Sequence, residues 1–206
     1  MTDNHYEFTF SETMSGFIAL EKRDPKEAER AAKENGSAFV MNVSVKISDL
    51  EQFIKDPFHT AKLTGSIDFT EFGDNISVSN GKFNLFSPSE DPQMKYMIYE
   101  FNFSHENQLY FFSGKKELKD DPGLDLWEDT TTLFCYIFKG ANADADITAS
   151  GILKISLIDF IKMLRTMSAE NAQSLNKKAV IFIKFGKFFL GNLWNTYGSF
   201  FIKERL

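Results

Sequence analysis

The side chains most able to do chemistry in this 206-residue chain cluster between positions 115 and 129: Lys115, Lys116, Glu117, Asp120, Asp121, Asp125, Glu128 and Asp129. Hard cations such as Ca²⁺ take several oxygen ligands, and Asp120, Asp121 and Asp125 could supply some of them. The spacing does not follow an EF-hand loop, and a solvated turn linked to Lys115 and Lys116 accounts for the same residues without a metal. Trp127 is the more telling member of the run. An indole among carboxylates is expected to fold back over one end of the domain as a plug, or else to line a pocket mouth; the plug is the preferred reading. Lys115, Trp127, Asp129, Thr131 and Tyr96 are therefore the candidate ligand-binding residues.

Other constellations are weaker. His5, His59 and His105 are too scattered in sequence to suggest a zinc site. No Gly-x-Ser-x-Gly elbow, Walker pattern or dinucleotide fingerprint can be written onto any segment. Cys135 is the single cysteine, which excludes an intrachain disulfide, and its apolar run Leu133–Phe138 predicts a buried, inert thiol. Glu100 shares a strand face with Met94, Tyr96 and Ile98. A carboxylate there could be an acid of shifted pKa, but is more often an edge residue or one half of a buried pair with Lys or Arg. No catalytic residue is assigned, and no metal or cofactor is expected.

Composition sets the frame for these residues. An apolar fraction of 43%, with 23 Phe, supports a large aromatic core and would also suit a pocket for an apolar ligand. A net charge of −6 without a basic stripe argues against nucleic acid as partner. No signal peptide is visible at Met1–Phe8, and no stretch offers the uninterrupted apolar run of a transmembrane helix. The expected location is the cytoplasm, with peripheral membrane association open.

The elements that must position these residues are mostly strands. Phe39, Met41, Val43, Val45 and Ile47 alternate with Asn42, Ser44 and Lys46, the period of a half-buried strand. Further strands are expected at 6–20, broken at Gly16, and at 59–69, 76–86, 94–103, 109–118, 130–138 and 147–155. Residues 21–37 form a short helix or a solvated loop. Ser48 with Glu51 reads as a capping box for a short helix ending before Pro57, and Ser156 with Asp159 repeats that junction. Five glycines follow a small polar residue within or beside these strands: Gly16, Gly65, Gly81, Gly114 and Gly151. Repeated glycine in strands marks bends and close backbone approach, as a closed barrel requires. After Ser156 the period becomes helical. Residues 157–167 carry one apolar stripe and about 169–201 a second, although Ala179–Phe185 could equally be strand and Gly186, Gly191 and Gly198 suggest kinks or breaks.

The run from Tyr110 to Leu133, with Gly114-Lys115, Asp120-Asp121, Gly123, Asp125, Trp127 and Asp129-Thr130-Thr131-Thr132, resembles a non-catalytic segment attached to bacterial cholesterol-oxidase-like proteins of the glucose–methanol–choline oxidoreductase group. Met14-Ser15-Gly16-Phe17, Gly81–Phe86 and Ser150–Leu153 are similar as well, so the likeness spans most of 8–167. It implies an accessory β-rich module with a leaning toward lipids or other apolar molecules. The oxidase activity does not carry over, because the dinucleotide fingerprint is absent. The expected architecture is a mainly β (α+β) fold: an antiparallel barrel or strongly bent sheet of about eight strands in 1–156, with a helical extension in 157–206. The expected function is non-catalytic binding, of an apolar small molecule or lipid inside the barrel. The alternatives are protein interaction, homo-oligomerisation or membrane-surface contact through 157–206, and, behind these, an enzyme of unrecognised type.

Overall fold

The computed structural model describes residues 6–92, 94–119, 126–172 and 174–203, with 126, 127 and 196–203 as backbone. Alternation decides the architecture. In β2 (Ala38–Ile47) the five apolar positions from Phe39 to Ile47 are buried and the intervening ones are not. The same two-residue period organises β1 (Glu7–Leu20), β3 (Thr60–Phe69), β6 (Met94–His105) and β7 (Gln108–Lys119). With β5 (Ser79–Pro88), β8 (Thr132–Phe138) and β9 (Ile147–Lys154) these strands pair antiparallel in the order β1-β2-β3-β5-β6-β7-β8-β9. β9 then pairs back onto β1, so the sheet closes into the expected eight-stranded barrel. Two short strands lie off the ring: β4 (Gly73–Ser77) on β3, and β10 (Ser168–Glu170) on the first residues of β1.

The glycines work at the ladder. A Cβ on Gly16, Gly65, Gly81 or Gly151 would run into the backbone carbonyl of Ile152, Asn42, Leu63 or Phe17 respectively, so opposed strands approach there more closely than any side chain permits. Gly65 also has φ of +145°, a conformation L side chains rarely adopt. The expected break of β1 at Gly16 does not occur. The strand runs through it, and the glycine instead lets β1 meet β9 and shut the barrel.

Helices close the ends and seams. α1 (Pro25–Asn35) is capped by Asp24, ends on Gly36 in the left-handed region, and buries Ala28 and Ala32 against the outer wall. α2 (Leu50–Lys55) is capped by Asp49 rather than Ser48: the Asp49 carboxylate accepts from the N–H groups of Glu51 and Gln52. α4 (Leu157–Thr166) does start at Ser156, which accepts from Asp159 N–H at 3.1 Å. It fills the gap in β1 between β10 and β9, where Thr166 accepts from the Ser11 N–H at 2.8 Å. A short helix not anticipated, α3 (Leu126–Thr131), leads into β8.

α5 (Leu175–Lys203) is one continuous helix, through the strand-like stretch 179–185 and through all three glycines. Its inner face explains why packing overrides propensity. Phe185 stacks on Phe8 at 4.3 Å between centroids, Phe188 lies edge-on to His59 at 4.7 Å, and Phe189 meets Phe86 at 5.3 Å. Phe86 is held at φ 54° where the β5–β6 register shifts, and this bulge sits where the ring meets the helix. α5 therefore crosses one end of the barrel. The opposite end is filled by Phe72, stacked on His105 at 4.6 Å and tilted against Tyr110 at 5.0 Å.

Candidate functional site

The lumen is crossed by side chains. Phe101 of β6 stacks on Phe112 of β7 at 4.5 Å, Phe112 on Phe39 of β2 at 5.7 Å, and Phe39 meets Phe69 of β3. Nearer the α5 end the crossing is polar. Glu12 of β1 accepts from Lys116 Nζ of β7 at 3.1 Å and from the Tyr99 hydroxyl of β6 at 2.7 Å, and the ammonium also lies 5.1 Å from the Tyr99 ring centroid. Glu12 and Lys116 are 4% and 2% exposed. Burial and the neighbouring Glu12 carboxylate, in that order, push the Tyr99 phenol well above its ordinary value. The triad ties β1, β6 and β7 together at one level. Each of its polar side-chain groups already faces another member of the set.

This cluster was not anticipated, although the sequence carried a signal. Glu12 interrupts Phe8, Phe10 and Met14, and Lys116 interrupts Phe112 and Leu118, so each is a charge on an otherwise apolar strand face. The same logic applied to Glu100 selects the wrong parity: Glu100 lies on the outer wall, paired with Lys82 at 2.8 Å. Cys135 is fully buried beside the same lumen, with its thiol pushed far up by burial.

Four of the five candidate ligand-binding residues, Lys115, Asp129, Thr131 and Tyr96, have described side chains, and these four do not meet inside the barrel. Lys115 and Tyr96 form a pair on the outer wall, with the ammonium 4.3 Å from the ring centroid, and Lys115 also lies 3.5 Å from Glu117. Asp129 and Glu117 line a charged groove of about 680 Å³ with Lys26, Arg30 and Lys154, beneath α1 and α3. Thr131 is buried where α3 passes into β8, and its backbone carbonyl accepts from Ile155 N–H. The Trp127 side chain, proposed above as the plug, lies outside the described residues, as do Asp120, Asp121, Asp125 and His5. The plug seen at the α3 end is α5. Among the described residues no three His, Cys, Asp or Glu side chains are grouped to hold a metal ion.

One surface that these contacts leave unexplained is apolar. Among the described residues, ten of the thirteen exposed large hydrophobic side chains lie on α4 and α5: Leu157, Ile158, Ile161 and Leu164 on the first, and Leu175, Val180, Phe182, Ile183, Leu190 and Trp194 on the second. Concentrations of exposed apolar side chains are in general a feature of interaction sites. No described helix is long and apolar enough to cross a membrane. In comparisons with protein-family models, curated proteins and solved structures, nothing matched this chain.

Proposed function

We propose that the chain is a non-catalytic binding module: a filled barrel that presents the apolar outer faces of its C-terminal helices to a partner. The observation that carries this reading is the concentration of exposed large apolar side chains on α4 and α5, which hold ten of the thirteen among the described residues. An apolar ligand inside the barrel, the function suggested by the phenylalanine content, would have to part the Phe101–Phe112 stack or the Glu12–Lys116–Tyr99 triad. These contacts across the lumen support a binding surface on the outside. The resemblance of residues 110–133 to an accessory segment of larger oxidoreductases supports the same non-catalytic role.

Native mass spectrometry of the full chain tests the assignment. Bound lipid or protein is expected to survive Phe101→Leu, which alters the lumen, and to be lost in the double variant Ile183→Ser/Leu190→Ser. Survival in the double variant with loss in Phe101→Leu would place binding in the lumen and overturn the reading.

A further inference from the structure

α5 is apolar on two sides. Ile181, Phe185, Phe188, Phe189 and Leu193 pack against the core, while Val180, Ile183, Leu190 and Trp194 follow one another at helical spacing on the solvent side with exposures of 57, 57, 65 and 60%. Contiguous exposed apolar surface on a folded domain is a docking site by default, so the outer stripe needs cover. From 180 to 194 it runs about 21 Å in a straight line.

Charge identifies the cover. Residues 171–203 contain five lysines and no acidic residue. Residues 157–206 hold eight basic and three acidic side chains, a balance of +5, whereas 1–156 hold fifteen and twenty-six, a balance of −11. Lys187 falls within the stripe by spacing, and Lys177 and Lys178 are exposed at its start. A second copy fits poorly, because a two-fold interface would set these lysines against themselves with no carboxylate on the helix to meet them.

We infer that the outer stripe of α5 docks on an anionic lipid surface, with the helix lying in the plane of the interface. The inference rests on the docking-module reading above and names its partner. Ile183 and Leu190 enter the acyl boundary, Trp194 sits at headgroup level, and the lysine stems run along the apolar surface while their ammonium groups reach lipid phosphates. The acidic barrel is repelled by the same surface, so the protein approaches α5 first. The exposed lysines at 177, 178 and 187 keep the helix at the interface instead of across the bilayer, whereas Lys184 is taken up by an ion pair with Glu51 of α2.

The test uses the full chain carrying Trp127→Phe, which leaves Trp194 as the only tryptophan. Vesicles of phosphatidylcholine alone are compared with vesicles in which about one-third of the lipid is phosphatidylserine. The protein is expected to sediment with the anionic vesicles only, with a blue shift of Trp194 emission, and to be released when salt rises from about 0.1 M to about 1 M. Lys177→Gln, Lys178→Gln and Lys187→Gln, all at exposed positions, are each expected to weaken binding roughly fivefold with an unchanged thermal melt. Equal binding to both vesicle types, or to neither, overturns the lipid assignment. If vesicles fail to bind while Ile183→Ser/Leu190→Ser still strips a partner in the mass spectra, the docking surface stands and an acidic protein replaces the lipid. If both fail, the docking reading falls as well.

Discussion

Lys116→Met is expected to destabilise the protein by about 3–5 kcal/mol, because it leaves the Glu12 carboxylate buried without its cation. That is a large part of the roughly 5–15 kcal/mol that holds a domain together. The triple variant Glu12→Met/Lys116→Met/Tyr99→Phe removes every member of the set at once and is expected to cost far less, since apolar replacement of a whole buried ion pair is often neutral. Urea unfolding measures both. A cost below about 1 kcal/mol for the single variant would show that Glu12 is solvated in the folded state. The same denaturation curves carry a pH signature. Tyr99 keeps its proton in the fold above the pH where an unfolded tyrosine ionises, near 10. The folded state then binds more protons than the unfolded one, so stability falls as pH rises beyond about 10. The part of that slope due to Tyr99 disappears in Tyr99→Phe.

Gly151→Ala is expected to cost about 3 kcal/mol or more. Its Cβ would meet the Phe17 carbonyl and lie 2.7 Å from Ile18 Cα. Both are backbone atoms of β1, so neither can swing aside, and the β1–β9 seam that closes the barrel must part. Amide exchange at Phe17–Leu20, which pair with β9, should rise with the loss of stability. Gly186→Ala and Gly191→Ala are the internal controls. Nothing lies within 4 Å of a Cβ at either position, both are inside α5, and each is expected to gain up to about 1 kcal/mol. A tolerated Gly151→Ala would mean that the seam is looser than its register implies.

The barrel was legible in the sequence because its strands alternate and its glycines recur at ladder positions. Phe39–Ile47 and the Gly65, Gly81 and Gly151 steps carry nearly the whole architecture in local pattern. The capping of α2 by Asp49, one residue after Ser48, was not separable from sequence, since both residue types cap helices well. The continuity of α5 was hidden for a different reason. Its Val-, Ile- and Phe-rich start has strand propensity, and only the aromatic packing of Phe185, Phe188 and Phe189 onto Phe8, His59 and Phe86 makes helix the better state. The polar triad escaped because its members lie 87 and 104 residues apart, and a single charge on an apolar strand face does not announce its partner. The exposed apolar face of the C-terminal helices was half-visible. Helical periodicity showed an amphipathic C-terminal region, but which apolar residues face the barrel depends on how α5 crosses its mouth.

The proposed binding face is the outer stripe of α5. The most direct measurement uses the inertness of buried Cys135, which lets one introduced cysteine carry a spin label. Labels at Leu190→Cys on α5 and Thr64→Cys on the exposed outer wall of β3 are compared with and without anionic vesicles or the partner found by mass spectrometry. The label at 190 is expected to lose mobility and contact with water-soluble relaxing agents, while the label at 64 stays unchanged. An unchanged label at 190 while the protein is demonstrably bound would contradict the account.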